Sequence, residues 1–213
     1  MTSKKHSAVI NTDGTGYREL PNVSANDGCR TWSWDNRYIL LCGYSTDGKS
    51  RLSKVSIADG QTSELVSLKT GSVARAVFSP DGLHIAYEVT PASLDLTSRI
   101  FVLGVGGGEP QQVYEERSTT GPSPSSGELK LLDWTVDGHF LAIASARTGI
   151  GALHLLPIRE GHSAGVPIFV RYGDFEEGVT WARGGSKIIV TLSKQLDYEL
   201  WSLENFVPAV PKR

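Results

Sequence analysis

The sequence predicts an all-β fold assembled from one repeated unit. Three observations carry this. The stretch Phe78-Ser79-Pro80-Asp81-Gly82 reads as a strand end and a tight turn. Pro80 presets φ, Asp81 can bond nearby backbone, and Gly82 tolerates positive φ. Beyond it Ile85, Tyr87 and Val89 alternate with His84, Ala86 and Glu88, the period of a strand. The same pattern returns with its aromatic at 32, 78, 134 and 181, at spacings of 46, 56 and 47 residues. Finally, no run of ten or more residues has amphipathic helical spacing. A period near 46 falls in the roughly 40–50-residue range of propeller blades. The expected architecture is a β-propeller of four-stranded antiparallel blades, about four of them visible, plus an N-terminal strand pair.

Taken in order, Ala8 to Leu20 reads as two short strands around Asp13-Gly14, the outer half of a repeat whose inner half is elsewhere. The repeats span approximately 28–66, 73–114, 129–170 and 178–206 of a single domain, 1–213. In the first, Trp32-Ser33-Trp34-Asp35-Asn36 aligns with the opening stretch without a gap, and Leu52–Ile57 and Ser63–Val66 supply the outer strands. The second continues through Arg99–Val105 and Gln111–Tyr114. The third starts at Trp134-Thr135-Val136-Asp137-Gly138 and continues through Ala152–Ile158 and Val166–Val170. The fourth, at Trp181, loses the aspartate but keeps Gly185, and Tyr198–Leu203 is its last strand. A blade cannot bury both faces alone, so the four aromatics are expected to pack between stacked blades. Ser118 to Gly127 reads as an inserted surface loop. The strands at 8–20 could close the ring onto the last blade.

Composition excludes several function classes. The chain has 213 residues, a net charge of −2 and a pI near 6.2, with no basic stripe, so no nucleic-acid partner is expected. No apolar run approaches a membrane span or a signal-peptide core, which predicts a cytoplasmic protein without a membrane partner. If the chain is a piece of a larger exported or membrane protein, a periplasmic location follows instead. Cys29 and Cys42 could pair across a hairpin. The missing export signal favours reduced thiols.

The residues of the repeat carry a family resemblance. Phe78-Ser79-Pro80-Asp81-Gly82 with Ile85-Ala86-Tyr87 resembles the WD-like repeat of the TolB type of β-propeller. Asn11-Thr12-Asp13-Gly14 and Ile57-Ala58-Asp59-Gly60 resemble its second turn. The likeness covers nearly the whole chain. It implies a scaffold or sensory module, as in propellers that follow bacterial kinases and winged-helix regulators in signalling proteins. Its alternative is the accessory propeller of a prolyl-oligopeptidase-like hydrolase whose catalytic domain lies outside this chain. Such rings usually have about six blades, more than are visible here. An incomplete ring would favour a homodimer.

Few motifs point to chemistry, and the chain is not expected to be an enzyme. Gly161-His162-Ser163-Ala164-Gly165 matches a nucleophile elbow, which needs a strand, a strained turn and a helix. Val166 to Val170 reads as a strand, and no histidine follows Ser163. Gly104 to Gly108 lacks the third glycine of a dinucleotide loop and the helix after it. The five histidines show no metal-ligand spacing, so no catalytic residue, metal or cofactor is assigned. Glu115-Glu116 reads as a solvated pair. Binding falls to the inner strands, where alternation against the anchors selects Thr31, Arg75, Asp133 and Thr180 as channel-facing. The partner would be a protein or a small ligand.

Overall fold

Each repeat folds as a separate antiparallel sheet. The structure is a computed structural model that describes residues 6–24, 29–45, 47–92, 96–118, 129–145, 151–182, 185–194 and 197–204. β1 (His6–Val9) and β2 (Arg18–Ser24) pair only with each other among the described strands. The first blade is β3 (Arg30–Trp32), β4 (Tyr38–Tyr44), β5 (Ser50–Ser56) and β6 (Thr62–Leu68). The second is β7 (Ser72–Phe78), β8 (His84–Thr90), β9 (Thr97–Gly104) and β10 (Gln111–Arg117). The third holds β11 (Lys130–Trp134), β12 (Phe140–Ser145), β13 (Ala152–Arg159), β14 (His162–Ser163) and β15 (Ile168–Tyr172). The fourth holds β16 (Asp174–Trp181), β17 (Lys187–Lys194) and β18 (Asp197–Glu204). The first strands lie side by side along the chain: β3 against β7, β7 against β11, β11 against β16. This is an all-β propeller architecture of antiparallel blades.

The repeated turn has a side-chain cradle. In the second blade the Ser79 hydroxyl donates to Asp81 and accepts the His84 amide at 2.9 Å, while Asp81 accepts the Leu83 amide at 2.9 Å. Ser33, Asp35, Arg37 and Tyr38 repeat this, as do Thr135, Asp137, His139 and Phe140. The turn then needs positive φ, which Gly82 and Gly138 supply at 70° and 71°. Asn36 holds the same conformation at 59°, a non-glycine residue that tolerates it.

One rule governs how blades stack. The anchor and the residues seven and nine places beyond it face the preceding blade; the residue eight places beyond faces the following one. Phe78, Ile85 and Tyr87 share a core with Leu40 of the first blade. Trp134, Leu141 and Ile143 share one with Ala86 of the second. Ile188 and Val190 share one with Ala142 of the third, and Trp181 packs against it. At the start of the chain, Ile39 and Leu41 are covered by Leu20 and Val9 of the β1–β2 pair.

Three expectations change. Cys29 and Cys42 form a disulfide, because the β3–β4 hairpin brings their Cα atoms within 5.0 Å. Trp32 does not pack between blades: it is 49% exposed where Phe78 and Trp134 are 2% exposed. Among the described strands, the preceding side of its blade carries the β1–β2 pair, which packs on Ile39 and Leu41. Glu116 is not a solvated loop residue. It lies buried on β10, accepting the Ser145 hydroxyl at 2.5 Å and the Tyr114 hydroxyl at 3.3 Å. Glu88, on the polar alternation of β8, is also buried and accepts the Leu131 amide of the next blade at 2.7 Å. Strands between two blades have no solvent face, so polar alternation there marks seams. The expected Ser118–Gly127 loop lies, beyond Ser118, outside the described residues.

Candidate functional site at the inner strands

Two neighbouring inner strands each contribute one charged residue, and the next carries a tryptophan. Arg75 sits on β7, Asp133 on β11 and Trp181 at the end of β16. In β7 and β11 a register shift precedes the site residue, between Val73 and Arg75 and between Leu131 and Asp133. Such bulges re-aim side chains that regular alternation would place elsewhere. Asp133 Oδ1 accepts the backbone amide of Trp134 at 2.8 Å. Burial pushes its carboxyl up to about 6, and the Trp134 amide, the Trp181 indole and the Arg75 charge pull against that. An aspartate in this state is part protonated near pH 6. It can accept a cation or share a proton with an anionic group.

The other expected residues are placed differently. Thr31 lies on β3, and its hydroxyl donates to the Ala76 carbonyl at 2.8 Å, a stitch from the first inner strand to the second. Thr180 pairs with Ile189 in the β16–β17 ladder, and its side chain is outside the described residues. Arg75 and Asp133 therefore stand on neighbouring inner strands, and the Arg75 charge is the smallest of the influences on the Asp133 carboxyl.

The Gly161–Gly165 segment is a hairpin. β13 turns through Glu160 and Gly161 into β14, and Ser163 donates to the Gly165 carbonyl at 3.2 Å. A Cβ on Gly161 would meet the His84 ring at 3.1 Å, so the turn is pressed onto the second blade. β15 follows, where a nucleophile elbow requires a helix. Among the described residues no three His, Cys, Asp or Glu side chains converge as a metal site, and no helix is long and apolar enough to cross a membrane.

Sequence reasoning missed the polar seam between the second and third blades. On β13 lies His154, whose proton affinity is lowered by burial and raised in part by the Ala152 backbone and, less, by the Glu116 charge. Its ring meets Phe169 edge-on at 5.8 Å. The signal available was the side of the strand each residue occupies, which has meaning only once the blade faces are known.

Comparison with known proteins adds the fold's relatives. No protein-family model matches the chain, and no curated protein matches it in sequence. Solved structures do match. TolB from Acinetobacter baumannii superposes with a TM-score of 0.70 at 18% identity, over 94% of this chain and 46% of that one. A putative TolB from Agrobacterium tumefaciens gives 0.64 at 19% identity, over 92% of this chain and 64% of that one. Prolyl oligopeptidase B from Galerina marginata gives 0.59 at 10% identity, over 93% of this chain and 29% of that one. The chain thus spans about half to two thirds of the TolB chains it matches. At these identities the likeness is one of fold, and that fold is a TolB-like β-propeller.

Proposed function

We propose that this chain is a non-catalytic binding module, which engages a protein segment or small ligand at the inner-strand pair Arg75 and Asp133. The observation that carries this reading is the placement of opposite charges by two adjacent inner strands, with Asp133 held part protonated by burial. The recognisable repeat residues are spent elsewhere: Ser79, Asp81, Thr135 and Asp137 on turns, Phe78 and Trp134 on junctions. A ligand for the pair would carry charge of its own, as a peptide segment with an acidic and a basic group does. The test is a comparative capture with the whole chain as bait. Partners retained by wild type and lost by both Arg75→Ala and Asp133→Asn support the reading. An unchanged set of partners in both variants sinks it.

A second reading is an accessory propeller beside a hydrolase domain, favoured by the match to prolyl oligopeptidase B. A peptidase domain encoded next to this one, and peptide hydrolysis that needs both, would select it. The Cys29–Cys42 bond favours an oxidising compartment over a reducing one. Alkylating the thiols of protein taken directly from its cell, without reduction, decides between them.

A further inference from the structure

The outer wall of the third blade differs from those before it. On β6 the exposed positions are threonine, serine and glutamate, and on β10 they are glutamine, glutamate and arginine. On β15 they are Ile168, Phe169 and Tyr172, at 36%, 48% and 61% exposure. The third blade has a described blade on each side, so this wall is not a terminal face. Regular alternation would put Phe169 and Tyr172 on opposite faces. A register shift between Leu153 and His154 puts both on one, with ring centroids 4.6 Å apart.

That face is turned to the second blade. Tyr172 pairs with Ala152 and Ala152 with Ser145, so the three form one row across β15, β13 and β12. At the inner end of the row the Ser145 hydroxyl donates to Glu116 of β10. Between Ser145 and Tyr172 the row carries only the methyl of Ala152. Glu116 is 8% exposed, and both of its donors, the Ser145 and Tyr114 hydroxyls, are neutral and meet the same oxygen, Oε2. Oε1 has no donor among the described residues and is not fully buried. None of the ion pairs among the described residues includes Glu116. His154 is near enough to sense its charge, but burial lowers the proton affinity of that ring and leaves it neutral at neutral pH. A carboxylate so placed is costly without a positive partner.

We propose that this wall docks an arginine side chain of a partner protein, whose guanidinium lies against Phe169 and Tyr172 and donates to Glu116 Oε1. Arginine suits both halves of the site, because its weakly hydrated guanidinium stacks on aromatic faces and pairs with carboxylates at interfaces. An apolar side chain would cover the rings and leave Glu116 without a counter-charge. An acidic one would oppose it. The inference does not depend on what the inner-strand pair binds.

The test is NMR of the whole chain titrated with N-acetyl-arginine amide and, separately, with its neutral isostere N-acetyl-citrulline amide. The arginine probe is expected to shift the Phe169 and Tyr172 ring signals together with the Glu116 carboxyl, and to bind about tenfold more tightly than the citrulline probe. Glu116→Gln keeps an oxygen acceptor for both hydroxyls and should weaken arginine binding about tenfold, the scale of a charge-assisted hydrogen bond. Tyr172→Ala changes an exposed ring and should weaken it about 2–5-fold, with circular dichroism unchanged. Equal affinity for the two probes overturns the proposal. So do shifts confined to Asp133, the absence of any shift, or arginine binding that neither variant weakens.

Discussion

Trp134 and Trp32 occupy the same place in the same motif, yet one is a core residue and the other lies half in solvent. Both close an inner strand, and both precede a turn cradled by a hydroxyl and an aspartate. The difference is the neighbour. Trp134 rests on Val77, Ala86, Ile100 and Val102 of a complete preceding blade. Among the described strands, Trp32 has the two-stranded β1–β2 sheet before it and no complete blade. Motif identity therefore sets local backbone, and burial is set by what stacks against it.

Truncation should separate the two residues most widely. Trp134→Ala is expected to cost about 3–5 kcal/mol, the range for a large core aromatic. Trp32→Ala should stay within about 0.5 kcal/mol. Equal losses in urea melts would break the comparison.

A smaller effect, of opposite sign to the usual acid loss, belongs to Asp133. Its carboxyl is raised from 3.8 to about 6, so the folded chain binds more protons than the unfolded one between those values. Stability contributed by the neutral form is present at low pH and lost as pH rises through about 6, a change on the order of 3 kcal/mol at most. Asp133→Asn should flatten that slope in melts across pH 4–7; an unchanged slope would assign it elsewhere.

The position eight beyond the anchor sharpens the contrast further. Ala142→Leu overpacks a closed junction and should cost about 1–3 kcal/mol. Ile189→Leu at the same position of the fourth blade, 44% exposed, should be near neutral. Thr135→Ala strips the Phe140 amide of its hydroxyl partner and should cost about 1–2 kcal/mol. In the fourth blade Ala182 and Gly185 already make the same backbone turn bonds, at 2.9 and 3.0 Å, with an alanine where the hydroxyl would be. Ala182→Ser therefore asks whether the cradle adds stability to a turn that forms without it.

These contrasts show what the sequence made legible. Turns were readable because Asp81-Gly82 and Asp137-Gly138 encode their own local geometry, and the spacing of the anchors revealed the blades. The short β14 strand was not, since His162-Ser163 carries no strand pattern. Buried Glu88 and Glu116 were hidden because alternation assigns polar residues to solvent, whereas a blade between two others has no solvent side. Arg75 and Asp133 could be named from parity. The register shift beside each of them is something a count of residues does not see.

The inner-strand pair is tested most directly by following the Asp133 carboxyl carbon in an NMR pH titration. A midpoint near 6 is expected, moving higher in Arg75→Ala because the guanidinium charge is lost. A midpoint at the ordinary aspartate value of about 3.9, unmoved by Arg75→Ala, would contradict a buried carboxylate beside Arg75.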